Sequence, residues 1–312
     1  MESQKPKIAM YAKRPFGEKL NASFDFIKEN WKQLFKYSTY LILPICLLQA
    51  ANFSGLMGSM TNFTAMQTAG NAAANPLAAL GPAFALNYAG VVFFSCLGAL
   101  LLTSLIYAMV RLYNEREERL NGITFSDIKP LLLHNVKRLF IMGIMIGFLF
   151  LVAFILVVLL AVLTPFTLVL TLPLFFAFMI PLALMAPVYL FENISLGAAF
   201  KKTFRLGFAT WGGVLLILLV MGIIAGVLQG IVSIPWYVIY FVKMIFSMSD
   251  GGEMSSSVGL DFAQYLFAIL MLYGSYLSAI FSIVGLVYQY GHASEVVDSI
   301  TVESDIDNFD KL

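Results

Sequence analysis

Ala186-Pro187-Val188-Tyr189-Leu190-Phe191-Glu192-Asn193-Ile194-Ser195-Leu196, running on through Lys201-Lys202-Thr203-Phe204-Arg205 to Trp211, ends one apolar run and begins another. Between the two runs charge returns. Leu196, Phe200, Phe204 and Phe208 recur every four residues, so on a helix they form one apolar stripe, with Lys201, Lys202 and Arg205 off it. Such a helix is expected to lie along a bilayer surface as an elbow between two membrane spans. Asn193 or Ser195 can cap it by offering a side-chain oxygen to the first-turn N–H groups, and Gly212-Gly213 loosen the entry to the next span.

The rest of the chain repeats this event. Of 312 residues, 60% are hydrophobic and 12% charged, against about half and a quarter in soluble domains. The fold class expected is all-α, a polytopic membrane protein with six transmembrane helices. All of the 19 Lys and Arg except Lys243 fall in segments that six crossings would leave on one side. Cationic flanks stay cytoplasmic during insertion, so both termini are expected inside, in a bacterial inner membrane. The two cysteines, Cys46 and Cys96, both fall inside spans, which leaves no disulfide framework and no Cys-based zinc site.

In chain order, residues 1–14 are a loose cytoplasmic tail. Leu20, Phe24, Ile27, Trp31, Leu34 and Phe35 recur at three and four, facing away from Lys28 and Lys32, and make a first elbow. Span one follows at about 37–57, with Pro44 inside it. An uncharged outer loop at 58–85 is either partly helical or loosely ordered. Span two, about 84–110, continues as a charged helical extension, Arg111 to Arg119, closed by Gly122. A second elbow, capped by Thr124, Ser126 or Asp127, leads into span three at about 139–163. Thr164-Pro165 turns the chain into span four, about 166–190, whose Pro173, Pro181 and Pro187 kink it. Span five covers about 211–234, followed by an interfacial aromatic belt, Pro235 to Phe241, and an exposed loop at 250–257. Span six covers about 262–290. Residues 291–312 are expected as an acidic cytoplasmic tail, disordered from Glu295 onward.

An internal echo divides the six-span domain, residues 15–290, into three. Asn30-Trp31-Lys32-Gln33-Leu34-Phe35 and Asn135-Val136-Lys137-Arg138-Leu139-Phe140 agree at four of six positions, each where an elbow meets its span. An offset of 180 also superposes Trp31 on Trp211 and Gln49 on Gln229. The expected plan is three parallel repeats of elbow plus hairpin, at about 15–122, 123–191 and 192–290.

Little in the sequence carries chemistry. Intramembrane enzymes and ion-coupled carriers keep ionisable residues in their spans, because a buried charge costs several kcal/mol and persists mainly where it works. The six expected spans hold none. No motif asks for a metal or cofactor, and no catalytic residue is assigned. Gln49, Gln229, Gln289 and Asn87 are the polar residues nearest the membrane interior. Interhelical hydrogen bonding is their expected role, and Gln49 with Gln229 could line a polar path. The elbow cations Lys28, Lys32, Lys137, Arg138, Lys201, Lys202 and Arg205 are candidate contacts for anionic lipid headgroups, and Glu192 could pair with one of them.

Pro187-x-x-x-x-Glu192, then Ala198/Ala199, Lys201-Lys202-Thr203-Phe204-Arg205-Leu206 and a Trp/Gly entry to the next span, resembles the elbow of a bacterial superfamily. Its members are six-span proteins similar to the glycerophosphodiester phosphodiesterase membrane domain. The enzyme activity in that group belongs to a separate soluble barrel, which this chain lacks, so the resemblance implies the membrane fold and no activity. The expected function is therefore that of a non-enzymatic scaffold, accessory subunit or envelope-homeostasis factor. Its expected partners are anionic lipid and a protein held through the elbows or the acidic tail, not nucleic acid. A transporter or lipid-handling protein with a path along the pseudo-threefold axis is the alternative.

Overall fold

The computed structural model describes residues 6–68, 76–249 and 258–301. Among them the regular structure is all helical: α1 (Phe16–Thr68), α2 (Pro76–Glu115), α3 (Phe125–Leu163), α4 (Thr167–Leu182), α5 (Met185–Phe191), α6 (Leu196–Ala209), α7 (Trp211–Ser249) and α8 (Val258–Val297). Six stretches are long and apolar enough to cross a membrane: Phe16–Thr61, Leu80–Glu115, Phe125–Leu163, Thr167–Phe191, Trp211–Ile245 and Val258–Val297. They coincide with the six expected spans and are longer. This is a multi-pass helical protein.

The extra length absorbs several segments read as loops. Most of the outer stretch 58–85 is helical, α1 reaching Thr68 and α2 starting at Pro76; residues 69–75 lie outside the described set. At Gly81 the chain takes a left-handed φ of 73°, so α2 is two helices joined at the Gly-Pro step. The aromatic belt sits inside α7, where Trp236 stacks on Tyr240 at 5.4 Å. The expected exposed loop at 250–257 lies outside the described residues.

Other expectations need correction. The charged extension after span two stops being helical at Glu115, and residues 117–122 are turns with left-handed Arg119 and Gly122. The first two cationic elbows are continuous with their spans in α1 and α3, and only the third is a separate helix, α6. No glycine or proline interrupts α1 between Glu18 and Tyr37, so nothing in the sequence breaks the ladder there. Span four is two helices, with the ladder interrupted at Ala183-Leu184. Pro187 explains the position, because it has no N–H for the carbonyl of Ala183, four residues earlier.

The chain forms two compact units, unit 1 (Met1–Leu34, Thr103–Ile223, Ile280–Leu312) and unit 2 (Phe35–Leu102, Ile224–Ala279). Unit 1 has a core of rings. Phe26 meets Tyr113 edge-on at 5.1 Å and Tyr288 at 6.3 Å, and Phe191 stacks on Tyr290 while its edge meets Tyr107. The apolar window of α3 buries none of its residues, so that hairpin side is available to lipid. In unit 2, Ile42, Cys46, Ala50 and Leu102 are buried. Cys46 and Cys96 are both free thiols, the first buried and the second exposed.

Candidate functional site

The central elbow is built from its cap inward. Ser195 is the N-cap, its hydroxyl accepting from the N–H of Ala198 at 3.4 Å, while Asn193 takes a left-handed φ of 51° and makes the corner. The face of α6 turned into unit 1 is Ala199, Thr203, Leu206 and Gly207, a small-residue face. The phenylalanine stripe flanks it: Phe204 and Phe208 pack on Phe178 of α4, and Phe208 stays exposed. Gly207 is where helices touch, since a Cβ there would lie 2.6 Å from Cβ of Pro181 and 2.7 Å from its Cα.

At the inner side of α6 lies a charge cluster. Nζ of Lys202 is 2.7 Å from a carboxylate oxygen of Glu192 and 2.7 Å from one of Asp298, and Arg205 reaches Asp298 at 2.5 Å. The hydroxyl of Tyr290 donates to Glu192 at 2.8 Å. Burial pulls the Lys202 ammonium down, yet the hydrogen bonds and charges of Asp298 and Glu192 outweigh it and hold its proton more tightly than in a free lysine. Its stabilising charge is therefore fully present below the ordinary lysine range and is lost only as pH rises beyond it. Burial likewise raises the phenol of Tyr11, beside Tyr290.

Two partners in this region were not legible in the sequence. Asp298 was assigned to a disordered tail, but α8 runs to Val297, Glu295 is buried, and Glu295 accepts from the hydroxyl of Thr301 at 2.6 Å. Residues 6–14, read as a loose tail, are docked on unit 1. Lys7 donates to the carbonyls of Asn114 and Arg116 at 2.8 and 2.9 Å, the favourable place for a cation at a helix C-terminus. Met10 is buried, and the backbone N–H of Arg14 donates to Nδ1 of His292 at 3.1 Å. Ile8, Met10 and Tyr11, apolar residues inside a polar stretch, were the available signal.

The candidate lipid contacts divide in two. Lys28, Lys32, Lys137 and Lys201 are exposed, as is Arg205, which also holds Asp298. Lys202 turns inward. So does Arg138, which lies over the Tyr189 ring at 3.8 Å and donates to the carbonyls of Tyr189 and Ile194 at 2.6 and 2.8 Å, tying α3 to the hinge after α5. Exposed aromatic residues accompany the outward lysines: Trp31 (56% exposed), Phe35 and Phe140.

The candidate polar path does not assemble. Gln49 is buried and uses both ends of its amide, donating to Ser95 at 2.8 Å and accepting from Tyr276 at 2.9 Å, whereas Gln229 is exposed. Gln49→Leu is expected to cost about 1 kcal/mol, the scale of an interhelical hydrogen bond in a membrane protein, and Gln229→Leu nothing measurable. Thermal denaturation in detergent checks both; equal losses would restore a paired role for the two glutamines.

Comparison of the chain with protein-family models, with curated proteins and with solved structures finds no match to any of the three.

Proposed function

We propose that this is a non-enzymatic bacterial inner-membrane protein that holds anionic lipid along a cationic edge and serves as a scaffold, accessory or envelope-homeostasis factor. Both termini are cytoplasmic in this reading, from the charge asymmetry of the sequence. What carries it is the division of the cations. Lys202 and Arg138 are used internally, whereas Lys28, Lys32, Lys137 and Lys201 are exposed near aromatic side chains suited to the headgroup layer. Each such cation is worth about 1 kcal/mol near an anionic surface.

The threefold plan belongs to the same proposal. Asn30 and Asn135 are both buried, Lys32 and Lys137 exposed, Leu34 and Leu139 buried, Phe35 and Phe140 exposed. That agreement supports a common ancestral unit for the first two repeats. The third has weaker support, because Gln49 is buried and its counterpart Gln229 is not. The resemblance to the glycerophosphodiester phosphodiesterase membrane domain supports the layout: Pro187 falls at the break, Glu192 at the hinge and the basic run on α6. A solute path along the pseudo-symmetry axis has less support, since its two glutamines do not converge.

Replacing Lys28, Lys32, Lys137 and Lys201 together with Gln is expected to abolish preferential co-purification of phosphatidylglycerol over phosphatidylcholine, read by mass spectrometry of the retained lipid. Unchanged lipid composition would reject the proposal.

A further inference from the structure

Lys19 sits in the first turn of α1 and is only 3% exposed. Its ammonium donates to Oε1 of Gln289 at 2.7 Å, a neutral acceptor. Gln289 in turn donates to Oγ1 of Thr210 at 3.2 Å. Among the described residues Lys19 makes no ion pair, and neither does its neighbour Arg14. A buried ammonium with one amide partner leaves two N–H donors and a full charge uncompensated, and buried charges persist when something pairs with them.

The surroundings add more positive potential. A Cβ on Gly213 would lie 3.2 Å from Nζ of Lys19, so the ammonium stands against the first turn of α7. Thr210 precedes that helix, its carbonyl taken by the N–H of Val214. The N–H groups of Trp211, Gly212 and Gly213 have no acceptor within α7, and together they carry the positive end of its dipole. Nothing lies within 4 Å of the Cβ position on Gly212, so the backbone there can be approached closely. On the other side, Nη1 of Arg14 is buried without a partner. His292, whose Nδ1 accepts from the Arg14 N–H and whose remaining proton is therefore on Nε2, lies three residues beyond Gln289. Cations have been placed where a helix already presents positive charge.

We propose that Lys19, with the first turn of α7 and the Arg14 guanidinium beside it, forms a binding site for a phosphate-type oxyanion. A tetrahedral anion can accept from the ammonium and from the α7 N–H groups through different oxygens, and a guanidinium adds charge-assisted donors. A lipid phosphodiester headgroup and a free phosphate share that chemistry. The site is distinct from the exposed lysines of the proposed lipid edge and does not rest on them.

The test uses the full-length protein in nanodiscs, with melting followed by tryptophan fluorescence. In phosphatidylcholine, inorganic phosphate is titrated; in a second series phosphatidylglycerol replaces part of the phosphatidylcholine and phosphate is omitted. Saturation is expected to raise the melting temperature by about 5 °C in at least one series. A response to inorganic phosphate identifies the free anion as a ligand; a response to phosphatidylglycerol alone identifies the headgroup. Lys19→Met should lose the response, whereas the fourfold Lys→Gln variant of the exposed edge should keep it. Gly213→Asp supplies an acid at the helix start facing flexible side-chain ends, and should raise the unliganded melting temperature while abolishing the response. The site is overturned if wild type responds to neither probe, if Lys19→Met responds as wild type does, or if Gly213→Asp melts lower and still responds.

Discussion

Gly291→Ala is expected to lift residues 6–14 off unit 1. A methyl group at that position would overlap the carbonyl oxygen of Met10, a backbone atom that cannot move without taking its segment along. Overpacking of this kind costs about 1–3 kcal/mol, and displacement of the segment adds the loss of the Lys7 bonds to Asn114 and Arg116 and of the Arg14 bond to His292. A total near 3 kcal/mol is expected, at about 1 kcal/mol for each net hydrogen bond. Two readouts check it: a lower melting temperature, and trypsin cleavage at Lys7 and Lys13 that wild type resists. If Gly291→Ala matches wild type in both, the docking of residues 6–14 is wrong.

Lys202→Met should come next in severity. It leaves Glu192 and Asp298, whose side chains are 14% and 15% exposed, facing each other without the shared cation. Stranding a partner of a fully buried pair costs about 3–5 kcal/mol. Here Tyr290 still donates to Glu192 and Arg205 still holds Asp298, so about 2 kcal/mol is expected. Adding Glu192→Gln to Lys202→Met should recover part of that loss, which separates charge imbalance from lost packing. Lys201→Met, one residue away and exposed, should stay within about 0.5 kcal/mol of wild type. Equal effects at Lys201 and Lys202 in chemical denaturation would remove the reason to regard the cluster as structural.

Much of this was open to reading from residue types. Long apolar runs with charge only at their ends leave a helix crossing the bilayer as the one way to satisfy every backbone group, so the six crossings and their order followed from the sequence. Ser195 as a cap, the Thr124–Asp127 box, in which Asp127 accepts from the Thr124 N–H at 2.9 Å, and the break before Pro187 are local events decided within four residues. The pairing of Glu192 with an elbow cation also followed, since the two lie within one turn of the same corner. Asp298 did not, because its partner is 96 residues away (298 − 202) and its own neighbours are acidic.

By itself, then, the sequence determined which segments cross the membrane and which residues share a helix face. Tertiary structure alone decided which of those faces meets protein. On α6 the four-residue period marked the Phe200, Phe204 and Phe208 stripe, yet Ala199, Thr203, Leu206 and Gly207 are the buried positions. In water the most apolar face would go inward. In a bilayer the lipid is as apolar as any protein interior, so hydrophobicity stops discriminating, and close approach of small residues with a few polar partners sets the packing instead.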